Sequence, residues 1–170
     1  MASLMENLLF VLERENEEYE QLVELSTRKR QIIIDGDIPG LEMITDREQD
    51  ITSKIKNLEN RREEILNDMA IVLSKDAKDL TLTNMIAFLH KQPKEQQKIK
   101  AVQDKLRNTL KQMADINSQN EVLLQHALEM AEFDLTLFRS MRQAPITANY
   151  DKHAYNTGDI LGSGGFDTHR

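Results

Sequence analysis

Cysteine is absent from the 170 residues, which removes disulfide frameworks, thiolate metal sites and cysteine nucleophiles together. Tryptophan is absent as well, and the chain holds only three prolines and six glycines, a composition that favours long helices. Positive charge is not in excess: 22 Lys and Arg stand against 29 Asp and Glu, a formal net charge of −7. Such a surface repels nucleic acid and anionic lipid, so proteins are the expected partners. No run approaches the roughly 20 apolar residues of a membrane span. The opening stretch MASLMENLLFVLERENEE has no basic n-region and turns acidic directly after a short apolar run, unlike a secretory signal. A soluble, cytoplasmic chain without membrane insertion is expected.

Helical spacing is present in abundance. Leu4, Leu8, Val11, Leu12, Tyr19, Leu22 and Ile33 recur at three- and four-residue steps, the pattern of one helix face, which Glu15 and Ser26 interrupt. DGDIPG at 35–40 is a reversal: Gly36 suits a left-handed cap, Asp37 an N-cap and Pro39 a first turn. A second helix over 38–73 would carry Leu41, Ile44, Ile51, Ile55, Leu58, Ile65, Leu66, Met69 and Leu73. The polar link SKDAKDLT at 74–81 leads to a short apolar helix with Leu82, Met85, Ile86, Phe88 and Leu89, capped by Thr81 or Thr83. Pro93 then opens the longest helix, predicted to reach Arg142.

The expected fold is all-α: an elongated antiparallel bundle of three long helices plus one short helix over 1–142, with a flexible Gly-containing tail over 143–170. QAPITANYDKHAYNTGDILGSGGFDTHR shows no sustained helical period, the reason for assigning a tail.

On the last long helix the predicted seam is Ile99, Val102, Leu106, Leu110, Met113, Asn117, Asn120, Leu124, Ala127, Leu128, Ala131, Leu135 and Phe138. A second apolar line, Ile116, Leu123, Met130 and Leu137, joined by Met141, lies about 100° from it at 100° per residue. Each large side chain left in water forgoes about 1.5–3 kcal/mol of burial, so a two-faced helix calls for a second partner. Either the short helix covers this line as ordinary core, or part of it stays open for another chain's amphipathic helix.

Catalytic and metal chemistry find no support. Glu-x-x-His pairs of a di-iron bundle are missing, His90 and His126 are isolated, and His153 and His169 fall in the tail. GSGG in the tail lacks the Lys-Ser/Thr of a phosphate loop. TRKRQ at 27–31 is a small basic cluster near a helix C-terminus, where positive charge offsets the macrodipole. Neither catalytic residues, metal ligands nor cofactors are nominated.

Asn117 and Asn120, within INSQNEVLLQHALEM at 116–130, sit where leucine would pack better. A buried amide costs stability unless paired, and its best-attested benefit is fixing register or partner choice; meeting the backbone of a bound peptide is the alternative. With RKRQIIIDGDIPGLEMIT at 28–45 and REQDITSKIKNLENRREEIL at 47–66, this stretch resembles the flagellar export chaperone family FlgN over about residues 4–141. The shared features are a basic residue before a Gly-Asp turn, Glu48, Arg62, and Asn-x-x-Asn followed by paired leucines.

The resemblance implies a cytoplasmic chaperone that binds disordered terminal segments of hook–filament junction proteins, FlgK and FlgL or their like. It would prevent premature assembly and deliver them to the flagellar export gate, with client binding in the C-terminal region. The candidate client-binding residues are Ile116, Asn117, Asn120, Leu123, Met130, Phe133, Leu137 and Met141. The competing expectation is a structural or adaptor coiled coil that homo-oligomerises through the same apolar line. Tyr150, Tyr155, Ile160, Leu161 and Phe166 give the tail spaced apolar residues that could dock on that line in place of a client.

Overall fold

A computed structural model describes residues 2–167, with side chains to Arg142. The order is α1 (Ala2–Asp35), α2 (Ile38–Val72), a 3-10 turn at Ala77–Asp79, α3 (Leu82–Phe88), a second 3-10 turn at Leu89–Lys91, and α4 (Pro93–Asp167). The all-α class, the three long helices and the single short one stand as expected. Residues 143–170, with the tail assigned to them and its proposed docking, lie outside the residues whose side chains are described.

The chain falls into two compact units, Met1–Leu124 and Gln125–Arg170. In the first, α1 and α2 run antiparallel, since Glu15 meets Arg62, Tyr19 meets Glu59 and Lys29 meets Glu48. Over this unit α4 runs parallel to α1, with Thr109 bonded to Asn16 and Asn120 to Ser26.

The α1–α2 reversal follows from its residues. Gly36 takes φ +66°, the left-handed value that closes a helix C-terminus with little steric cost. Its N–H and that of Asp37 return to the carbonyls of Ile33 and Ile32. The Asp37 carboxylate accepts from Gly40 N at 3.0 Å, and a β-carbon at residue 40 would collide with that carboxylate. Thr81, of the two threonines considered, caps α3 by accepting from Asn84 N.

Met5, Leu8, Val11 and Leu12 of α1 pack with Ile65, Met69 and Ala70 of α2, Met85 and Leu89 of the short-helix segment, and Ile99 and Leu106 of α4. Leu8, Leu12, Met69, Met85 and Ile99 are wholly buried, each worth about 1.5–3 kcal/mol of transfer free energy. The short helix therefore belongs to the core beside the start of α4. Gln96 Nε2 donates to Ile86 O and Gln103 Nε2 to Thr83 Oγ1, placing α3 well before residue 116. It does not cover the second apolar line, which corrects the first of the two readings of that line.

The basic cluster also has a different role from the one expected. α1 continues to Asp35 and has no basic residue in its last turn. Arg28 pairs with Glu24 of its own helix, Lys29 with Glu48 of α2, and Arg30 donates to Gln119 of α4.

Candidate functional site

The residues of α4 that face the first unit's interior follow a strict three-four rhythm: Ile99, Val102, Leu106, Thr109, Met113, Ile116, Asn120 and Leu123 are buried or half-buried. That is a heptad seam, in which a 3.5-residue repeat drifts by about 20° per heptad on a straight helix. It corrects the predicted seam at two places. Leu110 is 40% exposed, its expected place taken by Thr109, whose hydroxyl donates to Asn16 Oδ1 at 2.8 Å and lies 3.0 Å from Lys105 O. Asn117 is exposed, while Asn120 is buried. Ile116 and Leu123, assigned above to a second line, are the half-buried continuation of the packing seam itself.

Asn120 answers half of the question raised by the paired asparagines. Its Nδ2 donates to the backbone carbonyl of Ser26 at 2.8 Å, and its Oδ1 is buried without a partner. Ser26 Oγ in turn donates to Glu48 Oε1 at 3.3 Å, and Glu48 Oε2 takes the Lys29 ammonium at 2.9 Å. Thus α4, α1 and α2 are tied by one polar chain that has a single geometry, the property that fixes register. Asn117 is outside this chain and is open to solvent.

A second polar insertion lies deeper. Glu15 is wholly buried, its Oε2 receiving Arg62 Nη1 at 2.6 Å while Oε1 has no partner. Burial pushes the Glu15 carboxyl up to about 7 against the pull of Arg62, with Glu59 adding repulsion. Tyr19 donates to Glu59 at 3.1 Å, and burial followed by that carboxylate raises its phenol to about 12. Glu48 and Arg62, singled out above by resemblance, are thus both inter-helix ties.

Past Leu124 the picture changes. Continuing the three-four rhythm gives Ala127, Met130, Asp134, Leu137 and Met141, and a second row runs through Leu128, Ala131, Leu135 and Phe138. All nine are exposed, with Met130 at 62% and Leu137 at 48%, and so is Phe133 beside them at 63%. The predicted burial of Ala127, Leu128, Ala131, Leu135 and Phe138 in a seam is therefore overturned. Helical periodicity alone recognises a face that can be covered; it carries no information about whether a partner reaches it.

The polar residues here bond along their own helix. Gln125 Nε2 donates to Glu129, Thr136 Oγ1 to Glu132 O and Ser140 Oγ to Thr136 O. Glu129, Glu132 and Asp134 come before Arg139 and Arg142, so the apolar surface is accompanied by acidic residues over 129–134 and by basic ones at its end. Of the eight candidate residues, Met130, Phe133, Leu137 and Met141 share this exposed stretch. Ile116 and Leu123 are half-buried, Asn120 is engaged with Ser26, and Asn117 stands alone. Leu128, Leu135 and Phe138 belong with the exposed set, although sequence reasoning had placed them in the core.

Among the described residues no group of three His, Cys, Asp or Glu side chains could hold a metal ion, and no helix is long and apolar enough to cross a membrane. The clefts of the first unit are open and mixed in polarity, as between α1 and α2 where Leu25, Ile32, Met43 and Ile44 meet Arg28 and Arg47.

Compared with known proteins, residues 1–157 match the family model described as FlgN protein. No curated protein matches, and no solved structure matches either.

Proposed function

The chain belongs to the FlgN family of flagellar export chaperones, and from that premise we propose that it binds the terminal segments of FlgK- or FlgL-like hook–filament junction proteins. Binding takes place on the exposed apolar stretch of α4 at 128–141, in the cytoplasm. It shields segments that would otherwise self-assemble, and the complex is delivered to the export gate. One observation carries the reading: Leu128, Met130, Phe133, Leu135, Leu137, Phe138 and Met141 all lie in water within 14 residues of a single helix.

Such density of exposed apolar surface marks an interaction site. A client segment that orders as an amphipathic helix would bury it by laying its own apolar face along α4. Met130 and Met141 present flexible thioethers, which adapt to more than one client. Ordering the client consumes part of the interaction energy, which keeps affinity moderate and release feasible.

The test is binding of a purified FlgK-like junction protein to Met130→Asp with Leu137→Asp, followed by calorimetry and far-UV dichroism. The native protein should bind with a negative heat-capacity change, and the variant should retain its helicity but bind at least about tenfold more weakly. A variant that binds as tightly as the native protein places the client elsewhere. If the native protein ignores the client but self-associates through this stretch, the adaptor reading takes over.

A further inference from the structure

The exposed stretch of α4 is wider than one helix can cover. Placed at 100° per residue, Met130, Leu137 and Met141 form one row and Leu128, Ala131, Leu135 and Phe138 another, about 120° apart, and Phe133 extends the first row away from the second. Together they span roughly 220° of the helix circumference, whereas a helix lying against one neighbour presents a stripe of about 100°.

Upstream, the comparison is internal to the molecule. Over 99–123 the buried and half-buried positions keep to a single heptad seam apart from Gln103, which bonds Thr83 of α3, and of the positions that would extend the second row Leu110 and Asn117 are exposed. That seam is sufficient for packing on α1 and α2. Past Leu124 the first row is its continuation in three-four rhythm, and the second row follows on from the half-buried Leu124. The first row thus continues the seam that packs on α1 and α2; the second continues a line that upstream is half-buried only at Gln103 and Leu124.

We propose that the client engages this stretch with two amphipathic helical segments, one along each row, that clasp α4 between them. This rests on the chaperone reading above and adds the form of the client. The charges bear on the same occupant: Glu129 and Glu132 lie beside the rows and Asp134 within the first, ahead of Arg139. Client segments with Lys or Arg beside their apolar faces complement that flank, while a second copy of this chain, at −7 overall, opposes it with like charge.

The proposal is tested with the full chain and a purified FlgK-like junction protein, using two variants that each blunt one row. Met130→Asp with Leu137→Asp blunts the first; Leu128→Asp with Leu135→Asp blunts the second. All four residues are exposed, and thermal melts check that each variant keeps the native fold. Each variant should weaken binding by at least about tenfold and remove about half of the helicity gained by the client on binding, since each segment orders on its own row. The combination of all four substitutions should abolish binding. If one variant binds like the native protein while the other does not, a single helix suffices and the two-segment form is overturned, with the chaperone reading intact. Two variants that both bind normally overturn the two-segment form and place the client elsewhere than 128–141. A native complex whose sedimentation mass shows two copies of this chain joined through these rows, with the client outside them, also overturns the proposal.

Discussion

Asn120 Nδ2 lies 2.8 Å from the backbone carbonyl of Ser26, joining α4 to α1 through a group that the first helix already uses in its own ladder. The amide's other atom, Oδ1, is buried with no partner. An orphaned acceptor costs about 1–3 kcal/mol, so Asn120 contributes to the alignment of the helices at the expense of their stability. Asn120→Leu should raise the unfolding free energy by about 1 kcal/mol in urea titrations. A loss of stability would show that the hydrogen bond outweighs the orphaned oxygen.

Glu15 and Arg62 behave in the opposite way when separated. Replacing Arg62 by Ala leaves a carboxylate with no exposure and without its counter-charge, and should cost about 3–5 kcal/mol. Restoring stability by adding Glu15→Gln to Arg62→Ala would identify the stranded charge as the cause; no recovery would point to lost packing.

The same carboxyl sets a pH dependence. Its value rises from 4.5 in the unfolded chain to about 7 in the folded one, so between those limits the native state binds the extra proton. Its contribution is fully present below about 4.5 and is lost as pH rises through about 7. The difference is on the order of 3 kcal/mol. Glu15→Gln should flatten this part of the stability profile, measured by denaturant midpoints at pH 4.5 to 8 in both proteins. Parallel profiles would contradict the assignment.

Two helix ends should respond to glycine with opposite signs. Ser74 holds φ +51° where the backbone closes α2 through Ser74 N to Ile71 O and Lys75 N to Ala70 O. Ser74→Gly should stabilise by about 1 kcal/mol, and Gly36→Ala at φ +66° should destabilise by a similar amount. Thermal melts of the two variants check both signs.

Core and exposed apolar residues should separate cleanly in stability. Met85→Ala removes a side chain with no exposure and should cost about 2–5 kcal/mol. Phe133→Ala, at 63% exposure, should stay within about 0.5 kcal/mol of the native protein. An equally large loss at Phe133 would mean that the fold itself covers that ring.

Much of the architecture was legible from spacing. DGDIPG marked the reversal at Gly36 and Asp37, Pro93 the start of α4, and the apolar stripes of α1 and α2 anticipated Leu8, Leu12, Ile44, Ile51, Ile55, Ile65 and Met69 in the interior. Polar core positions were harder to read. Apolarity alone favours Leu110 over Thr109, whereas the three-four rhythm selects Thr109, and that rhythm is what the packing obeys. Of the candidate surface, Met130, Leu137 and Met141 were found by their spacing. Leu128, Leu135 and Phe138 read as core in the sequence because an apolar seam has the same spacing whether or not anything lies against it.

The order of side chains along a helix dictates which faces can be dry, because 3.6 residues per turn place them there whatever surrounds the helix. Which of those faces become dry depends on how far another helix extends along them. Only the folded chain could decide that α1 and α2 bury the seam around Asn120 and Leu106 and that Met130 and Phe133 stand in water. Burial is a property of a pair of surfaces, and one strand of sequence describes a single member of the pair.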